Sequence, residues 1–166
     1  MSVAGIVDVR PYLTFTLDDE LFAVDVAKVR EVLDYTTITK IPRTPEYMRG
    51  VINLRGSVVP VIDLRLKFGM SKTESKINTC IIVLEIKLED ETIILGALAD
   101  SVQEVFELEP DQIEPAPKFG TKFRAEFLRG MGKREENFIM ILEMDKVFSS
   151  DELALVQQTE NASQLA

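Results

Sequence analysis

The side chains here that can do chemistry are carboxylates, guanidinium and ammonium groups and one thiol, because the 166 residues include no histidine. That removes Ser–His and Cys–His nucleophile pairs, most zinc sites and phosphohistidine chemistry. Cys80 is the only cysteine, so no intrachain disulfide can form. It lies in the apolar run Ile77–Leu84, without a local cation or helix start to favour a thiolate, and reads as a small buried hydrophobe. The 28 Asp and Glu residues gather in clusters such as Asp18-Asp19-Glu20 and Glu89-Asp90-Glu91. These read as solvated turns. An acidic pair like Asp18-Asp19 also occurs in phosphate-accepting receivers, but those need a parallel βαβ sheet, and here a strand follows within three residues. Asp145-Lys146 lacks calcium-loop spacing, and the glycine-bearing loops Gly130-Met131-Gly132 and Phe119-Gly120-Thr121-Lys122 fit no phosphate-binding pattern. No nucleophile, base and oxyanion donors assemble. The expectation is a protein that is not an enzyme and carries no cofactor and no metal.

What remains is recognition, and the densest candidate is the segment 41–64. It holds two Arg-Gly pairs, Arg49-Gly50 and Arg55-Gly56. The second is flanked by the apolar runs Val51–Leu54 and Val58–Leu64. Gly56 sits where a hairpin turn needs a positive φ. Arg55 then projects from the hairpin end, as a contact residue or as a plain surface arginine. Glu31, in a partly apolar stretch, reads on local evidence as a solvent-facing strand residue.

The elements that must position these residues are mostly strands. Tyr12–Leu17 alternates, Asp18–Glu20 turns, and Leu21–Val26 extends again. Val29–Leu33 reads as a strand or as one helical turn. Ile38–Ile41 is short and stops at Pro42. Runs at 51–54, 58–64, 80–88, 92–99, 102–108 and 138–144 complete the set. Short strands spaced by turn residues suggest barrels rather than a βαβ sheet. Helix signals are confined to the C-terminus: a turn at Asp145–Phe148, then Ser149-Ser150-Asp151-Glu152 as a capping box opening a helix with Leu153 and Val156 on one face.

The chain also repeats itself in order. Val29-Arg-Glu-Val-Leu33 matches Val102-Gln-Glu-Val-Phe106, Ile41-Pro42 matches Ala116-Pro117, Tyr47-Met-Arg-Gly-Val51 matches Phe127-Leu-Arg-Gly-Met131, and Val58–Leu64 matches Phe138–Met144. Two small duplicated barrels would lean on one another, with a groove at their junction. A net charge of −9 argues against nucleic acid and anionic membranes as partners. No apolar run reaches the roughly 20 residues that span a bilayer, and the N-terminus lacks the charged start of a secretory signal. Cytoplasm is the simplest location.

Several blocks together resemble the CheW family. They are Val29–Leu33, Pro45-Glu-Tyr-Met-Arg-Gly-Val-Ile-Asn-Leu-Arg-Gly56, Val59-Pro-Val-Ile-Asp-Leu-Arg65, Ala99–Val105, Ile113-Glu-Pro-Ala-Pro117 and Phe127-Leu-Arg-Gly130. The likeness runs from about Tyr12 to Val156. It implies a mainly β fold, two packed SH3-like five-stranded barrels with short helices and a C-terminal helix. The implied division places the first barrel at about 21–85, the second at 12–20 and 86–150, and a C-terminal helix and tail at 151–166, within one domain of residues 1–166.

The resemblance further implies a non-enzymatic chemotaxis adaptor. It would bind the regulatory domain of the histidine kinase CheA and the cytoplasmic tip of methyl-accepting chemoreceptors. Such a protein is cytoplasmic and recruited to the inner face of the membrane through receptor arrays. Receptor contacts carry over to Val29, Glu31, Arg55, Cys80, Ile81 and Val105, of which Cys80 and Ile81 follow from strand alignment. The family pattern places the Glu31 carboxylate near Arg55, whose bidentate partner is then either Glu31 or a carboxylate on the receptor. Kinase contacts carry over to Ile38, Arg49 and Gly50. The kinase's regulatory domain shares this fold; 166 residues hold the double barrel and leave no room for an ATP-binding region or a receiver. Set against this reading is a small β-barrel ligand-binding protein or enzyme.

Overall fold

The computed structural model describes residues 9–88, 90–115, 127–134, 136–149 and 151–156. Eleven strands appear among them, in chain order β1 (Arg10–Leu17), β2 (Glu20–Asp25), β3 (Val29–Asp34), β4 (Met48–Leu54), β5 (Ser57–Asp63), β6 (Cys80–Leu88), β7 (Glu91–Ala99), β8 (Ser101–Leu108), β9 (Ile113–Glu114), β10 (Leu128–Arg134) and β11 (Asn137–Leu142). Two one-turn helices, α1 (Leu64–Lys67) and α2 (Met144–Val147), follow β5 and β11. A third, α3, covers 151–156. The Val29–Leu33 alternative resolves as strand. The expected match at Ala116-Pro117 and the tail beyond 156 lie outside the described residues.

The strands form a five-stranded sheet, β3-β6-β7-β5-β4, and a six-stranded sheet, β8-β1-β2-β11-β10-β9. Both curl. Leu108 and Ile113 lie on opposite edge strands of the second sheet, yet five residues reach at most about 18 Å. A flat six-stranded sheet is about 24 Å across. In the first sheet, β3 leaves one edge and the chain reaches the other five residues later. There Thr39 and Val51 exchange backbone hydrogen bonds of 2.8 and 2.9 Å and close the ring.

Strand membership differs from the sequence reading at two places. Residues 20–25 belong to the six-stranded sheet, because β2 folds back on β1 across the Asp18-Asp19 turn and runs parallel to β11. Residues 86–88 and 91–99 belong to the five-stranded sheet, because β6 runs on to Leu88 and β7 pairs with it from Cys80↔Ala99 to Leu88↔Glu91. The sheet built from the later half also has six strands rather than five, the two-residue β9 being the addition.

The repeat seen in the sequence is a repeat of topology. β3-β6-β7-β5-β4 superposes in role on β8-β1-β2-β11-β10, with the same parallel contact, β5 to β7 and β11 to β2. The correspondence from Tyr47 to Phe68 onto Phe127 to Phe148 is a constant shift of 80 positions. Both hairpins carry a bulge at the arginine of the Arg-Gly pair, Met48/Gly50 in one and Leu128/Gly130 in the other. The amide of Asp63 donates to the Tyr47 carbonyl at 2.7 Å, and that of Glu143 to the Phe127 carbonyl at 2.8 Å.

Each barrel has its own small apolar cluster. One holds Tyr12, Ala23, Leu108, Ile113, Ile139 and Ile141, the other Ile52, Val59, Val61, Ile81 and Leu98. The largest cluster lies between the barrels, with Phe15, Phe22 and Leu13 from one side meeting Ile82, Leu84 and Leu95 from the other. Strands such as β6 are therefore buried on both faces, which is why Ile81–Leu84 is a continuous apolar run and not an alternation. Phe22 stacks between Phe15 and Phe68, at 6.0 and 5.9 Å between ring centres. The related contacts Phe68–Phe127 (5.8 Å) and Tyr47–Phe148 (6.2 Å) are counterparts under the repeat.

Lys67 stands among Tyr47, Phe127 and Phe148, 5.4 to 5.8 Å from each ring centre, and bonds the Glu152 carboxylate. Glu152 also closes the expected capping box: it accepts from the Ser149 amide at 2.9 Å, and its own amide donates to Ser149 Oγ at 3.1 Å. Leu153 and Val156 are buried in the inter-barrel cluster. Helix α3 is thus pinned across the junction. Burial would raise the Glu152 carboxyl, but Lys67 and the Ser149 cap together hold it below its ordinary value. Tyr47 is pushed up to about 12, first by burial and then by the charge of Glu152.

Two outcomes follow from this architecture. Because the folded-state carboxyl of Glu152 is depressed, its contribution to stability is full above the ordinary value of 4.5 and is lost as pH falls through the lower folded value. Glu152→Gln is expected to lose about 1–3 kcal/mol near neutral pH. Its denaturant midpoint should also fall less steeply than the wild type's below pH 4.5. Gly50 has φ +141°, and a Cβ there would sit 2.1 Å from the Thr39 carbonyl oxygen that closes the first barrel. Gly50→Ala is therefore expected to cost at least about 2–4 kcal/mol in chemical denaturation; a smaller loss would mean that the bridge yields without opening the ring.

Candidate docking surface

The β4–β5 turn has positive φ at both central residues, Arg55 (50°) and Gly56 (88°), the geometry of a tight hairpin turn with right-handed strand twist. Asn53 reinforces it, its side-chain oxygen accepting from the Gly56 amide at 2.8 Å. Glycine takes this conformation freely, whereas arginine takes it at a cost, which marks Arg55 as a residue kept for its side chain. Its side chain is 71% exposed and reaches edge strand β3, where it binds Glu31 with both branches of the guanidinium. Nη1 donates to Oε1 at 3.1 Å and Nη2 to Oε2. The hydrogen bond to Arg55 leads in holding the Glu31 carboxyl below its usual range. The two residues flagged separately in the sequence are thus a bidentate pair, with planar groups fixed against each other. Glu31 sits at the β3–β6 bulge, opposite Val83.

The other expected receptor-contact residues divide. Val29 opens β3 and is half-buried against the inter-barrel cluster. Cys80 opens β6 beside Asp34, half-buried, with burial raising its thiol, a Val102 backbone hydrogen bond opposing and Asp34 adding to the rise. Val105 is 54% exposed on edge strand β8. Ile81 is a correction: it is 0% exposed, in the first barrel's own core, because on a strand buried on both faces the residue after Cys80 points inward. It shapes the strand and offers no surface.

The expected kinase-contact residues lie together on the first barrel. Ile38 packs half-buried against that barrel's core, and its side chain lies against Gly50. Arg49, the bulge residue, is committed inward. Its Nη1 donates to Asp63 Oδ2 and to the Thr73 carbonyl, both at 3.0 Å. Asp63 is fully buried and further satisfied by the Thr73 amide at 3.0 Å and the Thr73 hydroxyl at 2.8 Å. Removing Arg49 would strand a buried carboxylate, so it shapes this face more than it reaches from it. Its counterpart Arg129 likewise turns inward, to Asp25 at 3.3 Å and Glu143 at 3.6 Å.

Sequence reasoning missed several apolar positions on the surface, Val32 and Ile77 among them. Val32 is 40% exposed on β3, next to Glu31. Ile77, at the head of the apolar run Ile77–Leu84, is 98% exposed, because the strand starts only at Cys80. The Thr79 hydroxyl, which accepts from the Lys76 amide, holds residues 76–79 as a turn; the Ser-Lys-Ile-Asn-Thr composition before Cys80 was the available signal. Among the described residues no group of acidic or cysteine ligands is placed to hold a metal ion.

The family model for the CheW-like domain matches residues 11–152. The chain is 38% identical to a chemotaxis protein CheW of Klebsiella aerogenes, covering 93% of this chain and 91% of that one. It is 34% identical to the Rhizobium meliloti chemotaxis protein CheW, covering 86% and 90%. In three dimensions it is similar to the crystal structure of the scaffolding protein TtCheW from Thermoanaerobacter tengcongensis, with a TM-score of 0.77 and 34% identity over 90% of this chain and 94% of that one. The duplicated SH3-like barrels, the Arg-Gly hairpins and these matches agree, and the chain belongs to the CheW family of non-enzymatic chemotaxis adaptors.

Proposed function

We propose that this adaptor joins the regulatory domain of the kinase CheA to the cytoplasmic tip of a methyl-accepting chemoreceptor, using a separate face for each. The observation that carries the receptor face is the exposed, bidentate Arg55–Glu31 pair. It fixes a cation at the rim of β3, where Val32 is exposed as an apolar contact. A helical hairpin laid against this edge would meet a fixed, exposed cation at the end of the first barrel. Val29, Cys80 and Val105 belong to the same reading. The kinase face is the Ile38–Gly50 side of the first barrel, where Thr39 closes the ring. The site of action is the cytoplasm, at the inner face of the membrane through the receptors. Among the described residues no helix is long and apolar enough to cross a membrane.

Receptor-dependent kinase activation tests the first face. Arg55→Ala and Glu31→Ala are each expected to weaken receptor coupling by about tenfold while leaving kinase binding within about twofold. The double variant should be less than additive, since either single change breaks the pair. A strictly additive cycle would sink the pairing argument. For the second face, Ile38→Glu is the informative variant, because Gly50 substitutions disturb barrel closure itself. It should cost about 1–4 kcal/mol of kinase binding in titration calorimetry. An unchanged titration with melting intact would place the kinase on another surface.

A further inference from the structure

Beside the first barrel's closing bridge, the loop after Thr39, the start of β4 and the residues after α1 enclose an open cavity of about 520 Å³. Its lining is cationic on a chain whose net charge is −9: Lys40, Arg43, Arg49 and Lys72 face it, against the single carboxylate Glu46. Arg49 is neutralised from below by Asp63. Lys40, Arg43 and Lys72 enter no ion pair with the described residues, a state they share with Lys76, Lys87 and Lys146 elsewhere; here three such cations line one cavity.

The backbone supplies a second, independent observation. Arg43 has φ +62° and follows Pro42 in a turn that the Thr44 hydroxyl ties back to the Ile41 carbonyl at 3.0 Å. Proline then a positive φ is the pattern of a turn that favours glycine at the second central position. An arginine there carries strain that glycine would not, and such strain persists where the side chain is used. Arg55 shows the same combination and has its carboxylate partner within the molecule; Arg43 has none among the described residues.

We infer that this cavity receives an acidic polypeptide segment from a partner protein, its carboxylates meeting Arg43, Lys40 and Lys72. The charge distribution selects that class. A nucleic acid or an anionic bilayer presents negative charge over an area larger than the cavity and meets repulsion from the rest of an acidic surface. A short acidic loop enters the cationic mouth without covering its surroundings. The cations stand on long stems around an open mouth and form no tight cradle, which suits several spaced carboxylates better than one compact phosphate.

The test is titration of isotope-labelled protein with a short peptide of alternating Glu and Gly, followed by amide shifts and free of any kinase, so its outcome is separate from the kinase reading. Shifts are expected at 40–46 and 72, fading as salt is raised. Arg43→Gly is the decisive variant: the melting temperature should hold or rise as strain is released, while peptide affinity falls about two- to fivefold. Combined charge reversal at Lys40, Arg43 and Lys72 should abolish the shifts. Absence of peptide shifts, an affinity untouched by Arg43→Gly, or equal or tighter binding of pyrophosphate or of phosphatidylglycerol vesicles at this site would overturn the inference.

Discussion

The apolar contact between the two barrels is the constraint on which the rest of this protein depends. Neither barrel encloses more than a handful of large side chains, too few to hold a fold of this length by itself. The shared cluster supplies the difference, with Phe22 stacked between Phe15 and Phe68, and Leu84, Ile86 and Leu95 fully or almost fully buried opposite. Every strand that serves it must also serve its own barrel. That double duty accounts for the aliphatic density of β5, β6 and β7 and for the burial of Ile81 that removes it from the surface.

Around this core the same device appears twice. An Arg-Gly bulge at the start of a hairpin turns an arginine inward to a carboxylate at the hairpin's end, Arg49 to Asp63 and Arg129 to Glu143. The aromatic before each bulge crosses the junction to pack on the far side of the other repeat, Tyr47 on Phe148 and Phe127 on Phe68. The two copies have diverged in what surrounds them. Asp63 is sealed by Thr73 from the loop after α1, while Arg129 shares Asp25 with Arg10. Lys67 among three aromatic rings joins α1 to α3. A scaffold has to transmit position, and a junction secured by packing, ion pairs and a capped helix gives its two faces a fixed relation.

In the proposed reading, function sits where the scaffold departs from its own most stable choices. Arg43 and Arg55 both occupy left-handed turn positions that glycine would take with less strain, Arg43 in a turn before β4 and Arg55 in the β4–β5 turn itself. Their side chains are the polar features of two different faces of one small barrel. Under the proposed function, that separation would let two partners be held at once without competing for the same atoms.

Much of this was legible in the sequence, for local reasons. Short strands with turn residues between them fixed a mainly β architecture, the missing histidine removed most catalysis, and Ser149 with Glu152 announced the C-terminal helix. The ordered repeat pointed to two related halves. The Arg55–Glu31 pairing was foreseeable only as a possibility, since it joins residues on different strands. Tertiary structure alone decided how the halves divide. Which sheet takes 20–25 and which takes 91–99 depends on hairpin and parallel pairings that apolar runs do not encode. The inward commitment of Arg49, the burial of Ile81 and the exposure of Ile77 were hidden for the same reason. Each is set by what lies across a sheet or at a strand's first residue, and a linear pattern carries the period of an element but not its neighbour.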